Sequence, residues 1–210
     1  MSKSKTSNKK EPAKAETAGA VVMISAPSGC GKTTIVDRLL NRHADWLRSV
    51  SVTTRAPRFN EKHGVAYFFV GPGEFEKLKE GAELLEYAKV VDHWYGTPAR
   101  FVAEKLASGK VVILEIDVQG ARKVRAALEA SVPRLSIFVL PPSIKVLRER
   151  LEGRKTETPA EIQARIEAAQ EEIKEAGAYD KAVVNQNLDQ TVAEIEGLIL
   201  DLVKQGSSFH

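Results

Sequence analysis

The stretch Ser25-Ala26-Pro27-Ser28-Gly29-Cys30-Gly31-Lys32-Thr33 decides the fold of this chain. An apolar run at 20–24 precedes it, and apolar residues at helical spacing follow it. The stretch matches the phosphate-binding pattern G-x-x-x-x-G-K-S/T, with Ala26 in place of the first glycine. In such a loop, backbone N–H groups converge on an anion, and the helix N-terminus adds its partial positive charge. The sequence therefore predicts a strand–loop–helix unit that binds phosphate.

The residue types in this loop predict separate roles in nucleotide binding. Lys32 is expected to reach the β- and γ-phosphates, and the Thr33 hydroxyl is expected to bind Mg²⁺. Cys30 is interpreted as a small loop residue rather than a nucleophile. The alternative is a strand–helix turn that binds nothing. The loop residues predicted to contact the nucleotide are Ser28, Gly29, Cys30, Gly31, Lys32, Thr33 and Thr34.

Length and composition are those of one globular domain. The chain has 210 residues, of which 43% are hydrophobic, enough for one well-filled core. No apolar run approaches the length of a membrane span, and no secretory signal is recognised at the N-terminus. One cysteine cannot form an internal disulfide. These features predict a cytoplasmic protein without a membrane partner.

The net charge of +3 belongs to the N-terminal tail. Residues 1–19 contain five lysines against two glutamates, so the rest of the chain is neutral. The tail has almost no large apolar residue, which predicts disorder. Because the basic excess is confined to this tail, we expect no nucleic-acid partner.

Beyond the loop, the order of predicted elements indicates an α/β fold with an antiparallel insert. Short strand-like runs follow one another with no long helix between them, which disfavours further βαβ units there. Thr97 and Pro98 are then interpreted as the N-cap and first residue of the next helix. The strand-like runs lie at 50–54, 65–70 and 84–91.

A charged, helix-forming segment late in the chain predicts a mobile lid. Thr158 and Glu161 form a capping-box pattern, and apolar residues follow at helical spacing along one narrow face. The predicted organisation is a single domain over 20–210 after the tail at 1–19. Within that domain we expect a substrate-binding insert at about 51–97 and the lid at about 150–178.

The remaining chemistry-bearing residues favour phosphoryl transfer over hydrolysis. Arg55 and Arg58 lie three apart in a loop after hydroxyl residues, which suits a bidentate clamp on a second phosphate. No residue evidently activates water, and phosphoryl transfer consists mostly of positioning and charge neutralisation. Asp117 ends the apolar run at 111–117 and is predicted to hold Mg²⁺, directly or through water; its alternative role is to cap the following helix. Glu115 faces the same side of that strand.

Together these residues resemble the guanylate kinase family over about residues 20–204. The pattern Thr-Thr-Arg-x-Pro-Arg at 53–58 is more specific to that family than the phosphate-binding loop. The family implies transfer of the γ-phosphoryl group of Mg·ATP to GMP, on a parallel-sheet core with a GMP-binding insert and a helical lid. The stretches that carry the resemblance lie at 25–32, 51–58, 65–70, 95–97, 114–120, 150–154 and 156–158.

The resemblance also implies roles for individual residues. The residues implied to bind the GMP phosphate are Arg55, Arg58, Tyr67 and Tyr95, with Glu61 beside them. Those implied to bind guanine are Ser51, Glu86, Thr97 and Asp117, with Glu115 nearby. The residues implied to act on the transferring phosphoryl group are Lys32, Arg58 and the lid arginines Arg154 and Arg165. Those implied to lie near the rest of ATP are Arg150 and Asn185.

The sequence departs from the family pattern at two places. Phe59-Asn60 replaces a smaller pair before Glu61, and no acid follows Asn185 directly. The lid arginines are expected to be solvated until both nucleotides are bound.

The assignment of guanine has a physical reason. Guanine presents the N1–H and N2–H₂ donors on one edge, and an ionised Glu86 accepts from both. Adenine would leave that carboxylate unpaired, which costs enough to discriminate strongly. The expected partners are therefore GMP, with dGMP as a further acceptor, and ATP.

Two other functions were considered. A guanylate-kinase-like interaction module that has lost catalysis is expected to lack the phosphate-binding loop or the lid arginines, and both are present here. A phosphate-loop kinase acting on a phosphorylated sugar has no use for a base reader such as Ser51, Glu86 and Thr97 together.

Overall fold

The computed structural model describes residues 19–90, 92–153 and 157–206. The secondary-structure elements, in chain order, are β1 (Ala20–Ser25), α1 (Lys32–Arg42), β2 (Trp46–Arg48), β3 (Val52–Thr53), β4 (Phe68–Phe69), α2 (Pro72–Glu80), β5 (Leu84–Val90), β6 (His93–Pro98), α3 (Ala99–Ala107), β7 (Val111–Glu115), α4 (Val118–Ala127), β8 (Arg134–Leu140), α5 (Ile144–Glu152), α6 (Pro159–Lys174), a 3₁₀ turn (Glu175–Ala178), β9 (Lys181–Val184) and α7 (Leu188–Gly206).

A five-stranded parallel sheet forms the centre of the molecule, in the order β2-β7-β1-β8-β9. β1 lies in the middle, and all six of its residues are buried, as its continuous apolar sequence predicts for a strand covered on both faces. Val22 and Ile24 pack with α1, α5, α6 and α7, whereas Val21 and Met23 pack with α3 and α4. The predicted α/β fold with a parallel core sheet is confirmed.

A second sheet of four strands forms the insert, in the order β4-β3-β6-β5. β3–β6 and β6–β5 are antiparallel, but β3 and β4 are parallel, which differs from the purely antiparallel insert expected. The long loop between β3 and β4 brings the chain back in its original direction. The predicted strand at 65–70 is reduced to two residues because Gly64, with φ +78°, turns the chain just before it.

The prediction that Thr97 caps the next helix is wrong. β6 continues to Pro98, and α3 begins at Ala99 without a side-chain cap. The register of β5 and β6 pairs Glu86 with Thr97, and the Thr97 hydroxyl donates to Glu86 Oε1 over 2.7 Å. The Thr97 hydroxyl therefore bonds to Glu86 on the neighbouring strand instead of capping α3.

The lid segment begins with the predicted cap. The Thr158 hydroxyl accepts from the Glu161 amide, and the Glu161 carboxylate accepts from the Thr158 amide, which completes the capping box of α6. α6 packs Ile162, Ile166 and Ala169 into the core cluster. No helix in the described part of the chain is long and apolar enough to span a membrane. The predicted tail at 1–19 lies, except for Gly19, outside the described residues.

Candidate active site

A cavity of about 440 Å³ opens at the carboxyl ends of β1 and β7, between the central sheet, the insert and the lid. This is the edge of an open parallel sheet at which ligands bind. The predicted site residues that line it are Ser28, Gly29, Gly31, Lys32, Thr33, Thr34, Ser51, Tyr67, Glu86, Tyr95, Glu115 and Asp117. The structure therefore brings residues from distant parts of the sequence to one place.

Two glycines give the phosphate-binding loop its shape. Gly29 and Gly31 have φ of +93° and +84°, where other residues are strained. A Cβ on Gly29 would lie 3.0 Å from Leu147 and Leu151 of α5, so the loop packs closely on that helix. α1 begins directly after Gly31, at Lys32, so its unpaired N–H groups face the cavity.

The side chain of Asn185 holds the phosphate-binding loop by a hydrogen bond to its backbone. Its side-chain Nδ2 donates to the carbonyl oxygen of Cys30 over 2.8 Å, and Asn185 is buried. The Arg150 guanidinium donates in turn to the Asn185 carbonyl over 3.0 Å. Neither Asn185 nor Arg150 lines the cavity, so the structure places both beneath the loop. Burial raises the pKa of the Cys30 thiol to about 12, which agrees with a packing role for that residue.

Lys32 is the cation at the centre of the cavity. Its Nζ lies 3.4 Å from the carbonyl oxygen of Ile116. Burial lowers the pKa of Lys32, while the carboxylates of Glu115, Asp117 and Glu172 oppose that shift. The Lys32 amine thus shares the cavity with these three carboxyl groups.

Thr33 and Glu115 lie together at the start of α1. The Thr33 hydroxyl donates to Glu115 Oε2 over 3.1 Å, and Arg48 pairs with Glu115 Oε1 over 2.8 Å. A hydroxyl and a carboxylate at one point are the hard oxygen donors that Mg²⁺ takes. The described residues contain no group of three or more His, Cys, Asp or Glu side chains able to hold a metal by themselves.

Asp117 has the capping role that was the alternative prediction for its position. Its Oδ1 accepts from the Gly120 amide over 2.7 Å and so caps α4, and the residue also lines the cavity. A Cβ on Gly120 would lie 3.1 Å from Asp117 Oδ1 and 3.2 Å from Glu86 Oε2. The absence of a side chain at Gly120 therefore lets both carboxylates approach the same end of α4.

Glu86 is a buried acid at the insert side of the cavity. It is 6% exposed, and burial raises its pKa to about 6, with the Thr97 hydrogen bond opposing the shift and Asp117 adding to it. Oε1 is bonded to Thr97, which leaves Oε2 and the remaining lone pairs for a ligand. Thr97 itself does not line the cavity, but it orients the carboxylate that does.

The two loop arginines lie at the rim rather than in the cavity wall. Arg55 Nη2 donates to both oxygens of Glu61 over 2.8 Å, and the Arg58 amide donates to the same carboxylate over 2.8 Å. Burial alone would raise the pKa of Glu61, but these donors hold it below its usual value. The Arg55 guanidinium lies 5.5 Å from the ring centroid of Tyr67, which lines the cavity. Glu61 thus organises the arginine loop, and the Arg58 side chain is exposed.

The lid already contacts the phosphate-binding loop. Arg165 Nη1 donates to the Ser28 hydroxyl over 2.8 Å, and its Nε pairs with Glu157 over 2.7 Å. Its side chain is 39% exposed, so Arg165 is partly solvated while it makes these two contacts. Arg154, the other predicted lid arginine, lies outside the described residues.

Glu172 is a cavity residue that the sequence analysis missed. It lies on α6 and lines the same cavity as Lys32. Burial raises the pKa of Glu172, Lys32 lowers it, and Asp117 raises it further. One glutamate among several on a charged helix carries no local signal; only the packing of α6 against the core shows which glutamate faces inward.

Comparison with known proteins agrees with this geometry. The family model described as guanylate kinase matches residues 18–202. A guanylate kinase of Wolbachia sp. subsp. Brugia malayi is 43% identical over 184 residues, covering 88% of this chain and 93% of that protein. A guanylate kinase of Clostridioides difficile is 44% identical over 181 residues, covering 86% and 87%.

Two solved structures are similar to this chain in fold. The crystal structure of guanylate kinase from Anaplasma phagocytophilum is similar with a TM-score of 0.74 and 33% identity, covering 89% of this chain and 87% of that one. A gluconokinase from Sinorhizobium meliloti, at 17% identity and a TM-score of 0.50, shares the fold alone.

Proposed function

The chain belongs to the guanylate kinase family, and from that premise we propose that its cavity transfers the γ-phosphoryl group of ATP to GMP, giving ADP and GDP. The observation that carries the proposal is that a single cavity has two ends of different chemistry. Lys32 and the phosphate-binding loop form one end, and the buried carboxylate of Glu86 forms the other. A cavity of about 440 Å³ is of the size that takes small ligands.

At the phosphate end, the chain's own groups neutralise charge. The loop amides and the N-terminus of α1 bind the phosphates of ATP. Lys32 leaves its carboxylate neighbours for the β- and γ-phosphates, where the negative charge is greater. Arg165, already at Ser28, contacts the transferring phosphoryl group when the lid closes further, and Arg154 is proposed to join it. In a cavity with little water, each of these charges stabilises the transition state more than it would in bulk solvent.

Mg²⁺ is proposed as the metal, and it supplies charge neutralisation and orientation of the phosphates when bound. Thr33 would hold it, with the adjacent Glu115 and the nearby Asp117 reaching it directly or through water. The support is the contact between the Thr33 hydroxyl and Glu115 Oε2, which places suitable oxygen donors next to the phosphate-binding loop.

At the acceptor end, GMP is proposed to bind with guanine on Glu86 and Ser51 and its phosphate toward Tyr67 and Tyr95. Arg55 and Arg58 are proposed to close on that phosphate from the rim. Thr97 orients Glu86, and Glu61 orients Arg55, so both are positioning residues. When GMP is held in this way, an oxygen of its phosphate faces the γ-phosphoryl group of ATP. The closeness of these two reacting groups supplies much of the rate enhancement.

We also propose a second acceptor and a cellular location for this protein. dGMP is a second acceptor, because none of the proposed guanine contacts involves the ribose. The nucleotide substrates and the single buried cysteine support a cytoplasmic location. A sugar phosphate acceptor is disfavoured, because it would leave the Glu86 carboxylate buried without a partner.

A coupled ADP-release assay tests the function. GMP and dGMP should be phosphorylated, and AMP, UMP and ribose 5-phosphate should not. Lys32→Met should remove most turnover, on the order of 10²-fold or more, because the β- and γ-phosphates lose their fixed cation. Lys181→Met, on β9 and away from the cavity, is the matched control. Preference for an acceptor other than a guanine nucleotide, or normal kcat in Lys32→Met, would overturn the proposal.

A further inference from the structure

α4 connects the acceptor end of the cavity with the far end of the lid. Its first turn is capped by Asp117, a cavity residue. Lys123 in its middle donates to the carbonyl oxygen of Tyr87 in β5, next to Glu86. Arg122 pairs with Glu175, the first residue after α6. The contacts of Lys123 and Arg122 take no part in the phosphate chemistry proposed above.

α4 also takes part in a closed hydrogen-bond network of three side chains, here called the clamp. Its members are Arg125 of α4, Ser136 of β8 and Asp180, which follows the lid. Arg125 Nη2 donates to Ser136 Oγ over 2.6 Å and to Asp180 Oδ1 over 2.9 Å. The other nitrogen of the fork, Nη1, donates to the carbonyl oxygen of Ala178 over 2.8 Å. The last turn of the lid and the chain leaving it are therefore both held by one guanidinium.

The buried Ser136 makes this network specific. Its hydroxyl donates to Asp180 Oδ2 over 2.6 Å and accepts from Arg125 and from the Asp180 amide, so its donor and both lone pairs are used. The Ser136 amide also donates to Asp180 Oδ2 over 2.7 Å. Burial by itself would raise the pKa of Asp180, but these hydrogen bonds and Arg125 hold it below its usual value.

The position of the clamp determines what it can do. Asp180 directly precedes β9, whose first pair with β8 joins Lys181 to Ile137, so the clamp extends the sheet into the chain that leaves the lid. At the other end of α6, residues 153–158 connect it to α5, and Arg148 of α5 donates to Gln163 of α6. The clamp therefore holds the chain just after the C-terminal end of α6, while Arg165 lies near the middle of that helix and donates to Ser28 of the phosphate-binding loop.

We propose that Arg125, Ser136 and Asp180 are positioning residues that set the angle of α6 and so place Arg165 over the phosphate-binding loop. This inference rests on the proposed function of Arg165 in phosphoryl transfer. A fixed pivot confines the swing of α6 to the orientation in which Arg165 reaches Ser28. Without it, the lid samples other angles, and misplacement by about 1 Å is enough to cost on the order of 10²-fold in rate.

The test is a set of double-mutant cycles on the full chain. Arg125→Ala should lower kcat by on the order of 10²-fold and change KM for GMP less. Arg125→Lys should lower it less than Ala does, because it keeps the charge but loses the planar fork. In the Arg165→Ala background, Arg125→Ala should have almost no further effect, since the group that it positions is gone. If Arg125→Ala does not fold, the same double-mutant cycle is measured with Asp180→Asn in its place.

Arg134→Ala is the matched control. Arg134 donates to the carbonyl oxygens of Leu128 and Glu129 just after α4 but does not touch the lid. It should leave kcat nearly unchanged. Unchanged kcat in both Arg125 variants, or an equal loss with and without Arg165, would overturn the inference while leaving the GMP kinase proposal intact.

Hydrogen exchange provides a readout that does not depend on activity. Amides of α6 should exchange faster in Arg125→Ala than in Arg134→Ala. Equal exchange in the two variants would also overturn the inference. Wild-type protein that does not phosphorylate GMP would instead contradict the proposed function, and the exchange result would still test the clamp.

Discussion

At the scale of single residues, the acceptor end of the cavity depends on the protonation of Glu86. Burial raises the pKa of this carboxyl to about 6, so it is ionised at pH 7.5 and protonated at pH 5. Only the ionised form accepts from both guanine donors. We therefore expect kcat/KM for GMP to fall as pH decreases through about 6, while KM for ATP remains nearly constant.

Glu86→Gln provides the control for this profile. The phosphate of GMP also titrates near pH 6, and that effect persists in the variant. The wild-type profile should consequently be steeper than that of the variant, which should also lose about 1.5–3 kcal/mol of GMP binding at pH 7.5. Profiles of equal steepness would show that Glu86 does not bind the base.

Asn185 permits a second prediction at this scale. The resemblance implies a place near adenine, whereas the structure shows its amide bonded to the Cys30 carbonyl beneath the loop. Asn185→Ala should destabilise the protein by about 1–3 kcal/mol, because a buried carbonyl loses its donor. It should weaken ATP and GTP to the same extent, because the loop binds phosphates common to both. Urea unfolding and KM for both triphosphates measure this; a change in the ATP-to-GTP preference would assign Asn185 to the base instead.

At the scale of elements, the lid helix α6 carries the group that acts latest in the reaction. Arg165 donates to the Ser28 hydroxyl, a neutral acceptor that we expect a phosphate oxygen to replace. Its contact strengthens as charge develops, which raises kcat rather than ground-state binding. Arg165→Ala should lower kcat by on the order of 10³-fold, with smaller changes in KM.

Single-turnover transfer measured beside equilibrium binding of GMP and ATP separates these effects. Arg148→Ala is the matched control, because Arg148 of α5 also donates to α6, at Gln163 over 2.7 Å, but does not contact the phosphate-binding loop. If nucleotide binding weakens as much as transfer slows, Arg165 acts equally on the ground and transition states.

At the scale of the whole molecule, the basic tail allows a test of how far the folded domain extends. β1 begins at Ala20, and a Cβ on Gly19 would lie 2.4 Å from the Leu106 carbonyl oxygen, so Gly19 is closely packed. Removing residues 1–18 should leave the melting temperature and kcat unchanged, because their composition provides almost no apolar surface to bury. Thermal melts and the ADP-release assay check this; a loss of activity would assign the tail a part in catalysis or assembly.

The fold could be predicted from the sequence wherever its signals are local. The phosphate-binding loop, the apolar run of β7 and the capping box of α6 depend on residues a few positions apart, and all three have the predicted form. The insert was less predictable, because β3 and β4 are two residues each and their parallel pairing depends on where a long loop returns. Short strands carry too few side chains to show a period.

The sequence by itself predicted the class of site: a loop for phosphates, arginines for a second phosphate, and a carboxylate for a guanine base. Tertiary structure alone decided which residues share the cavity. Strand register made Thr97 the partner of Glu86 rather than a helix cap, packing of α6 turned Glu172 toward Lys32, and β9 placed Asn185 under the loop. The physical reason is that backbone propensity and motif chemistry act between neighbours in sequence. Contacts between residues far apart form only when the whole core excludes water.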